Sequence, residues 1–185
     1  MKLIKNQIAM TTVIILLLTY IFPIATQAAE NKPIKTDRVS PFRKIIIKGN
    51  VDVVLIQRSE IGISYANDNE GKARITQQGD VLNITGTGPT TGKLIVYVAE
   101  IYRIEAEDNA TVSTDGILAT KFLQIILKGN ANANIYTTSQ GLYTAIYDQS
   151  TLYLKGNTDT HFLLMDKHPK LTFDQFAVLQ TQLTK

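Results

Sequence analysis

Asp108-Asn109-Ala110-Thr111, Gly129-Asn130-Ala131-Asn132 and Asp148-Gln149-Ser150-Thr151 follow one another at spacings of 21 and 19 residues. A period of ~20 residues marks a coiled β-structure in which each repeat buries its apolar side against the next. The chemistry of each column agrees with that alignment. Asp108, Gly129 and Asp148 stand where the chain turns sharply. Gly reaches positive φ without a Cβ penalty, and Asp tolerates it better than most residues. Asn109, Asn130 and Gln149 come next, and stacked amides can bond to one another along a strand-spacing repeat. Ala110, Ala131 and Ser150 are small, as a tight corner requires. A longer echo gives Gly49 and Asn50 the same turn and ladder roles: Ile45-Ile46-Ile47-Lys48-Gly49-Asn50 returns as Ile125-Ile126-Leu127-Lys128-Gly129-Asn130.

Alternation sorts the flanking residues. Ile104, Ile125 and Thr144 stack before the turn, followed by Ala106, Leu127 and Ile146. Val112, Ala133 and Leu152 stack after it, with Thr114, Ile135 and Leu154 beyond. These columns are mostly apolar and form the expected core. The alternate columns, Thr111–Asn132–Thr151 and Ser113–Asn134–Tyr153, are polar and face water. A slip of one residue would exchange the two sets, so the register is strongly specified.

Outward from the repeat, short β-rich runs recur between Gly, Asn and Asp. They are Lys44–Lys48, Val51–Gln57, Ile61–Ala66, Val81–Thr85, Leu94–Val98, Phe122–Lys128, Leu142–Tyr147, Leu152–Lys155 and Phe162–Met165. The fold expected is all-β and β-solenoid-like, with coils of about 20 residues. The C-terminal stretch from Phe176 to Leu183 fits either period and is read as a last strand or cap. Solenoid ends must be closed. The strands before Ile101 and the segment after Leu171 are the expected caps.

Composition sets the bounds. The 185 residues are 44% hydrophobic and 19% charged, with 11 Gly and 5 Pro, as in a folded domain. With no Cys, disulfides, thiolate metal sites and a cysteine nucleophile are excluded. Two His exclude a three-histidine metal site. A formal charge of +3 does not suggest a nucleic-acid partner.

Lys2 and Lys5 precede an uncharged run that lasts until Glu30 and contains Val13-Ile14-Ile15-Leu16-Leu17-Leu18. Pro23 breaks the run, and Thr26-Gln27-Ala28 suits signal peptidase. Residues 1–28 are read as a secretory signal, with an uncleaved membrane anchor as the competing reading. Residues 29–41, with Pro33 and Pro41, read as an extended linker, and residues 42–185 as one domain. The mature charge falls to about +1, so export accounts for most of the basic excess. Localisation is then periplasm, cell surface or medium, with no membrane span after cleavage.

The stretch from Phe42 to Leu55, Phe42-Arg43-Lys44-Ile45-Ile46-Ile47-Lys48-Gly49-Asn50-Val51-Asp52-Val53-Val54-Leu55, resembles the opening of a bacterial envelope family, the "putative auto-transporter adhesin, head GIN domain". Ile61-Gly62-Ile63-Ser64-Tyr65, Asp68-Asn69-Glu70 and Gly79-Asp80-Val81-Leu82-Asn83-Ile84 continue the resemblance. Lys93–Val98 and Ile101–Ile104 complete it, and it covers most of residues 42–174. The resemblance implies a right-handed β-helix-like fold and an exported protein. This chain departs from the family's Ser-Gly-Ala/Ser-Gly corners, but Glu107-Asp108-Asn109-Ala110, Lys128-Gly129-Asn130-Ala131 and Tyr147-Asp148-Gln149-Ser150 keep the turn chemistry. It is also short for the family and is expected to have fewer terminal coils.

Several constellations invite a chemical reading. Gly86-Thr87-Gly88-Pro89-Thr90-Thr91-Gly92-Lys93 has the wrong glycine spacing for a phosphate loop, and Leu94 replaces the Mg²⁺-binding hydroxyl, so it reads as a mobile turn. His161 and His168, near Asp159 and Asp166, are seven apart. On a strand they point to opposite faces, and they read as exposed turn histidines rather than ligands. Asp52, Asp108, Asp148 and Asp166 invite comparison with β-helical polysaccharide lyases. Asp108 and Asp148 lie two coils apart, ~10 Å at strand spacing, and read as turn formers. Tyr136, Tyr143, Tyr147 and Tyr153 cluster in the repeat region, where Tyr can serve a sugar site as well as fill a strand.

The function expected is therefore a non-enzymatic, exported envelope module of adhesin-like type. Thr111, Ser113, Asn132, Asn134, Thr151 and Tyr153 form its candidate binding surface, for a glycan or an envelope protein. No cofactor, metal or nucleic acid is expected. The alternatives are a structural or accessory envelope protein, and a polysaccharide-active enzyme on a β-helix.

Overall fold

The computed structural model describes residues 36–37, 39–66 and 72–184. The secretory-signal reading of residues 1–28 lies outside the described residues. Thirteen strands form one strongly curled, open sheet, and no helix occurs among the described residues. In chain order they are β1 (Thr36–Asp37), β2 (Lys44–Lys48), β3 (Val51–Gln57), β4 (Gly62–Tyr65), β5 (Ala73–Gln78), β6 (Val81–Gly86) and β7 (Gly92–Val98). They continue with β8 (Arg103–Glu107), β9 (Thr111–Thr114), β10 (Leu118–Leu127), β11 (Asn132–Asp148), β12 (Thr151–Lys167) and β13 (Lys170–Leu183).

The repeat alignment holds strand by strand. Ile125 lies between Ile104 and Thr144, and Leu127 between Ala106 and Ile146, all in parallel register. Ala133 lies between Val112 and Leu152, and Ile135 opposite Leu154. Asp108, Gly129 and Asp148 all have positive φ, at 62°, 71° and 59°. Ala110, Ala131 and Ser150 are fully buried behind them. The ladder amides meet where Asn130 Nδ2 donates to Asn109 Oδ1 at 3.3 Å. In the first of these layers Gly49 has φ 77°, while Asn50 serves a different task. Its Nδ2 donates to Pro89 O at 2.9 Å, and its Oδ1 accepts from Thr91 Oγ1 at 2.7 Å. These bonds tie down the loop read as a mobile turn.

The core lies on the concave side of the curled sheet. Ile45, Ile47, Leu55, Ile104, Ile125, Leu127, Ile135 and Leu154 are among its fully enclosed members. Each is a β-branched or leucine side chain on the inward phase of its strand, where burial stabilises by ~1.5–3 kcal/mol per side chain.

The structure departs from expectation in three places. The strands before Ile101 are not simply a cap. β2 and β3 pair in parallel with β8 and β9, with Ile45 opposite Ile104 and Val53 opposite Val112, so they carry the same columns onward. The antiparallel pairs are β1–β4, β4–β7 and β5–β6, and they stand at the two ends of the strand order. At the C-terminal end of the chain the segment after Leu171 lies in β13, a last strand paired in parallel with β12 alone, as expected. The runs Leu152–Lys155 and Phe162–Met165 are one strand, β12, because Gly156 at φ 109° lets the chain bend without leaving the ladder. That continuity overturns the reading of His161 as an exposed turn residue. It sits mid-strand on the inward phase, fully buried, and only His168 is exposed.

Candidate binding face

Because β3, β7, β9, β11, β12 and β13 are in register, their outward side chains form two continuous columns. The first reads Lys93, Asp52, Thr111, Asn132, Thr151, Lys170. The second reads Ile95, Val54, Ser113, Asn134, Tyr153, Thr172. At ~4.8 Å per strand, each column spans ~24 Å. All six residues singled out from sequence lie in the central part of this face, and none is buried. Tyr153 is the most prominent apolar surface among them, 45% exposed.

Sequence reading missed the ends of the columns, Lys93, Asp52 and Lys170. The signal was present: aligning Gly49 with Gly129 places Asp52 over Asn132. Asp52 lies two residues beyond the Ile45–Asn50 echo.

The face is stiff because its underside is packed. Val53, Val112, Ala133 and Leu152 lie beneath it with exposures of 1% or less. Asn132 is steadied further, since its Nδ2 donates to Asn130 O at 3.1 Å. The centre of the face offers hydroxyls and amides, which both donate and accept hydrogen bonds. Formal charge enters only at the rims. Such a surface can make many modest polar contacts at fixed spacing.

The other candidates are placed elsewhere. Tyr143 and Tyr147 lie on the second half of β11, beyond the corner at Gln140 and Gly141, and so do not share a face with Tyr153. Tyr136 lies under a cation, with Lys155 Nζ 5.6 Å from its ring centre. Asp148 is occupied by Lys167 Nζ and by the backbone N–H of Gly129, which hold its carboxyl below the usual range. His161 Nε2 lies 2.8 Å from Thr144 Oγ1, and the rings of Phe173 and Phe176 stand edge-on to it at 5.9 and 6.1 Å. Burial pushes its pKa down. Among the described residues no group of three His, Asp or Glu side chains is placed to hold a metal ion.

A curled, largely parallel sheet bearing an outward polar ladder is a repeat-built architecture. The chain belongs to the family described as "Putative auto-transporter adhesin, head GIN domain", whose model matches residues 41–183. A crystal structure of a "putative adhesin" from Bacteroides fragilis NCTC 9343 superposes with a TM-score of 0.69 at 13% identity, covering 81% of this chain and 74% of that one. A "putative adhesin" from Parabacteroides distasonis ATCC 8503 gives 0.61 at 14% identity, with 81% and 76% covered. One from Parabacteroides merdae ATCC 43184 gives 0.54 at 16% identity, with 81% and 75% covered. At these identities the likeness concerns the fold alone. No curated protein matches the chain.

Proposed function

We propose that the chain is an exported, non-enzymatic module of the cell envelope that binds a glycan or another surface through its two polar columns. The observation that carries this reading is the in-register face running from Lys93 to Lys170 over a fully packed underside. A rigid array loses little conformational entropy on binding, so contacts that are individually weak add up. We also read β8 to β13 as successive coils of a right-handed β-solenoid. Their parallel pairing at offsets of 19 to 21 residues supports that description. The family's adhesin label and the apolar N-terminal run support export. A non-enzymatic role is favoured because Asp108 and Asp148 are committed to turn geometry, with Asp148 held in its ion pair as well.

The test is binding of the purified protein to a glycan array and to bacterial envelope fractions. Saturable binding that weakens in Asn132→Ala, Asn134→Ala and Tyr153→Ala is expected. Binding unaffected by all three, or none at all, overturns the reading. In that case a structural envelope role becomes the better one.

A further inference from the structure

Where the β7–β8 connection meets the first half of β10 and the residue before β2, the surface folds into a cleft of about 390 Å³. It lies apart from the polar columns. Its walls carry two exposed aromatic rings, Tyr102 at 36% and Phe122 at 58% exposure. Each ring has a cation beside it. The Arg43 guanidinium lies 5.7 Å from the Tyr102 ring centre, and Lys121 Nζ lies 5.6 Å from that of Phe122. Glu100 is the one acidic side chain of the lining, and Ile101, fully buried, forms an apolar floor. Arg43 also faces Asp80 at 3.5 Å, but both side chains are largely exposed and the pair is weak.

The cleft is held in shape from behind. The Gln57 side chain bridges two layers: its Nε2 donates to Ala99 O at 2.9 Å and Ala119 O at 3.0 Å, and its Oε1 accepts from Ala119 N–H at 2.7 Å. Ala119 is part of the cleft lining. The ring of Phe122 rests against Gly141, where an added Cβ would come within 2.8 Å of Phe122 Cδ1. The ring is therefore backed on one side and open on the other.

We infer that this cleft binds an acidic saccharide unit, carboxylated or sulfated. The C–H face of a sugar ring packs on an exposed aromatic face, and two cations outnumber the one carboxylate of the lining for the sugar's anionic group. Glu100 can accept hydrogen bonds from its hydroxyls, and so can Thr120, whose own hydroxyl donates to Phe122 O at 3.3 Å. A concave lining of mostly apolar area with a few convergent polar groups is the usual build of a small-ligand site. The cleft is a second site beyond the polar columns, and its assignment rests on the reading of the chain as a surface-binding module.

The experiment is calorimetric titration of the purified protein with tetragalacturonate and a heparin-derived tetrasaccharide, with cellotetraose as the neutral control. Saturable binding of at least one acidic probe in preference to cellotetraose is expected, weakening as salt rises. Phe122→Ala should weaken it roughly tenfold. Lys121→Met should remove the preference for the acidic probe, and Gly141→Ala should weaken binding by pushing the Phe122 ring. Thr76→Ala, exposed on β5 and outside both the cleft and the polar columns, should leave it unchanged. Circular dichroism of each variant separates lost binding from lost fold. Silence with both acidic probes, or equal binding of cellotetraose, overturns the cleft proposal. So does binding that survives Phe122→Ala but falls in Asn134→Ala, an outcome that leaves the polar columns as the binding face.

Discussion

The backbone N–H of Gly129 donates a hydrogen bond to Asp148 Oδ2 at 3.0 Å, so a turn residue of one repeat is tied to the side chain at the same place in the next. Lys167, one repeat further on, pairs with the other carboxylate oxygen. Asp148 therefore does two jobs, adopting φ 59° and bridging three layers. Asp148→Gly keeps the turn conformation and loses the bridge, whereas Asp148→Ala loses both. The expected order of melting temperature is wild type, then Gly, then Ala. The Lys167 hydrogen bond, followed by the Gly129 N–H, lowers the Asp148 pKa from its ordinary value near 3.8. Its contribution is thus complete above that value and is lost as the pH falls through the lower, folded-state pKa. Melting curves of wild type and Asp148→Gly should converge in that acid range. A gap that persists there would deny the bridge its role.

Gly156 has φ 109°, and a Cβ placed on it would lie 2.0 Å from Thr137 O. No side-chain rotation relieves a clash with a neighbouring strand's carbonyl. Gly156→Ala is expected to cost about 3 kcal/mol or more in urea unfolding. Gly116 also has positive φ, 91°, but faces open space. Gly116→Ala should cost only ~1–2 kcal/mol. Equal losses at the two sites would mean that φ alone, not the close approach of β11 and β12, sets the cost.

The columns and their register were legible in the sequence because turn chemistry repeats at Asp108, Gly129 and Asp148, and because alternation gives the phase on either side. The antiparallel strand β5 was not legible. Ala-Arg-Ile-Thr-Gln-Gln at residues 73–78 alternates only weakly, since it covers an edge rather than filling a core. His161 was misplaced because Asp159 and His168 look like turn residues, yet parallel pairing carries β12 through Asp159 and His161 as far as Lys167. The cleft was invisible for a different reason. Arg43, Tyr102 and Phe122 come from three separate segments, brought together by strand order that no local pattern encodes.

His161 gives the β12–β13 layer a pH dependence of predictable sign. It is enclosed by Thr144, Phe173 and Phe176, and burial lowers its pKa below the ordinary 6.5. Unfolded chains take up a proton near that value and the folded protein resists it. Stability is therefore full above pH ~6.5 and declines as the pH falls towards the folded-state pKa. His161→Phe removes the titrating group and extends the aromatic packing. It should flatten the slope of unfolding free energy between pH 7 and pH 5. An unchanged slope would assign the acid sensitivity to other groups.

Glu105 is the buried acid of the convex side, and its partners decide what its removal does. Its Oε1 lies 2.9 Å from Lys44 Nζ and 2.5 Å from Arg103 Nε, joining β2 and β8. Burial alone would raise its pKa, but the Lys44 hydrogen bond and the charges of Arg103 and Lys44 more than reverse that, and the net shift is downward. Glu105→Gln leaves two partly shielded cations without a counter-charge. A fully buried broken pair costs ~3–5 kcal/mol. Lys44 and Arg103 retain some contact with water, which brings the expected loss to about 2 kcal/mol. The lowered pKa means that this loss should be seen in full above pH ~4.5 and shrink as the pH falls through the folded-state value. Lys48→Met removes a more exposed pair with Glu107 and should cost no more than about 1 kcal/mol, with strong salt dependence. Urea unfolding of both variants at low and high salt separates the two cases. A Glu105→Gln loss as small and as salt-sensitive as that of Lys48→Met would mean that water reaches the Lys44–Glu105–Arg103 cluster freely.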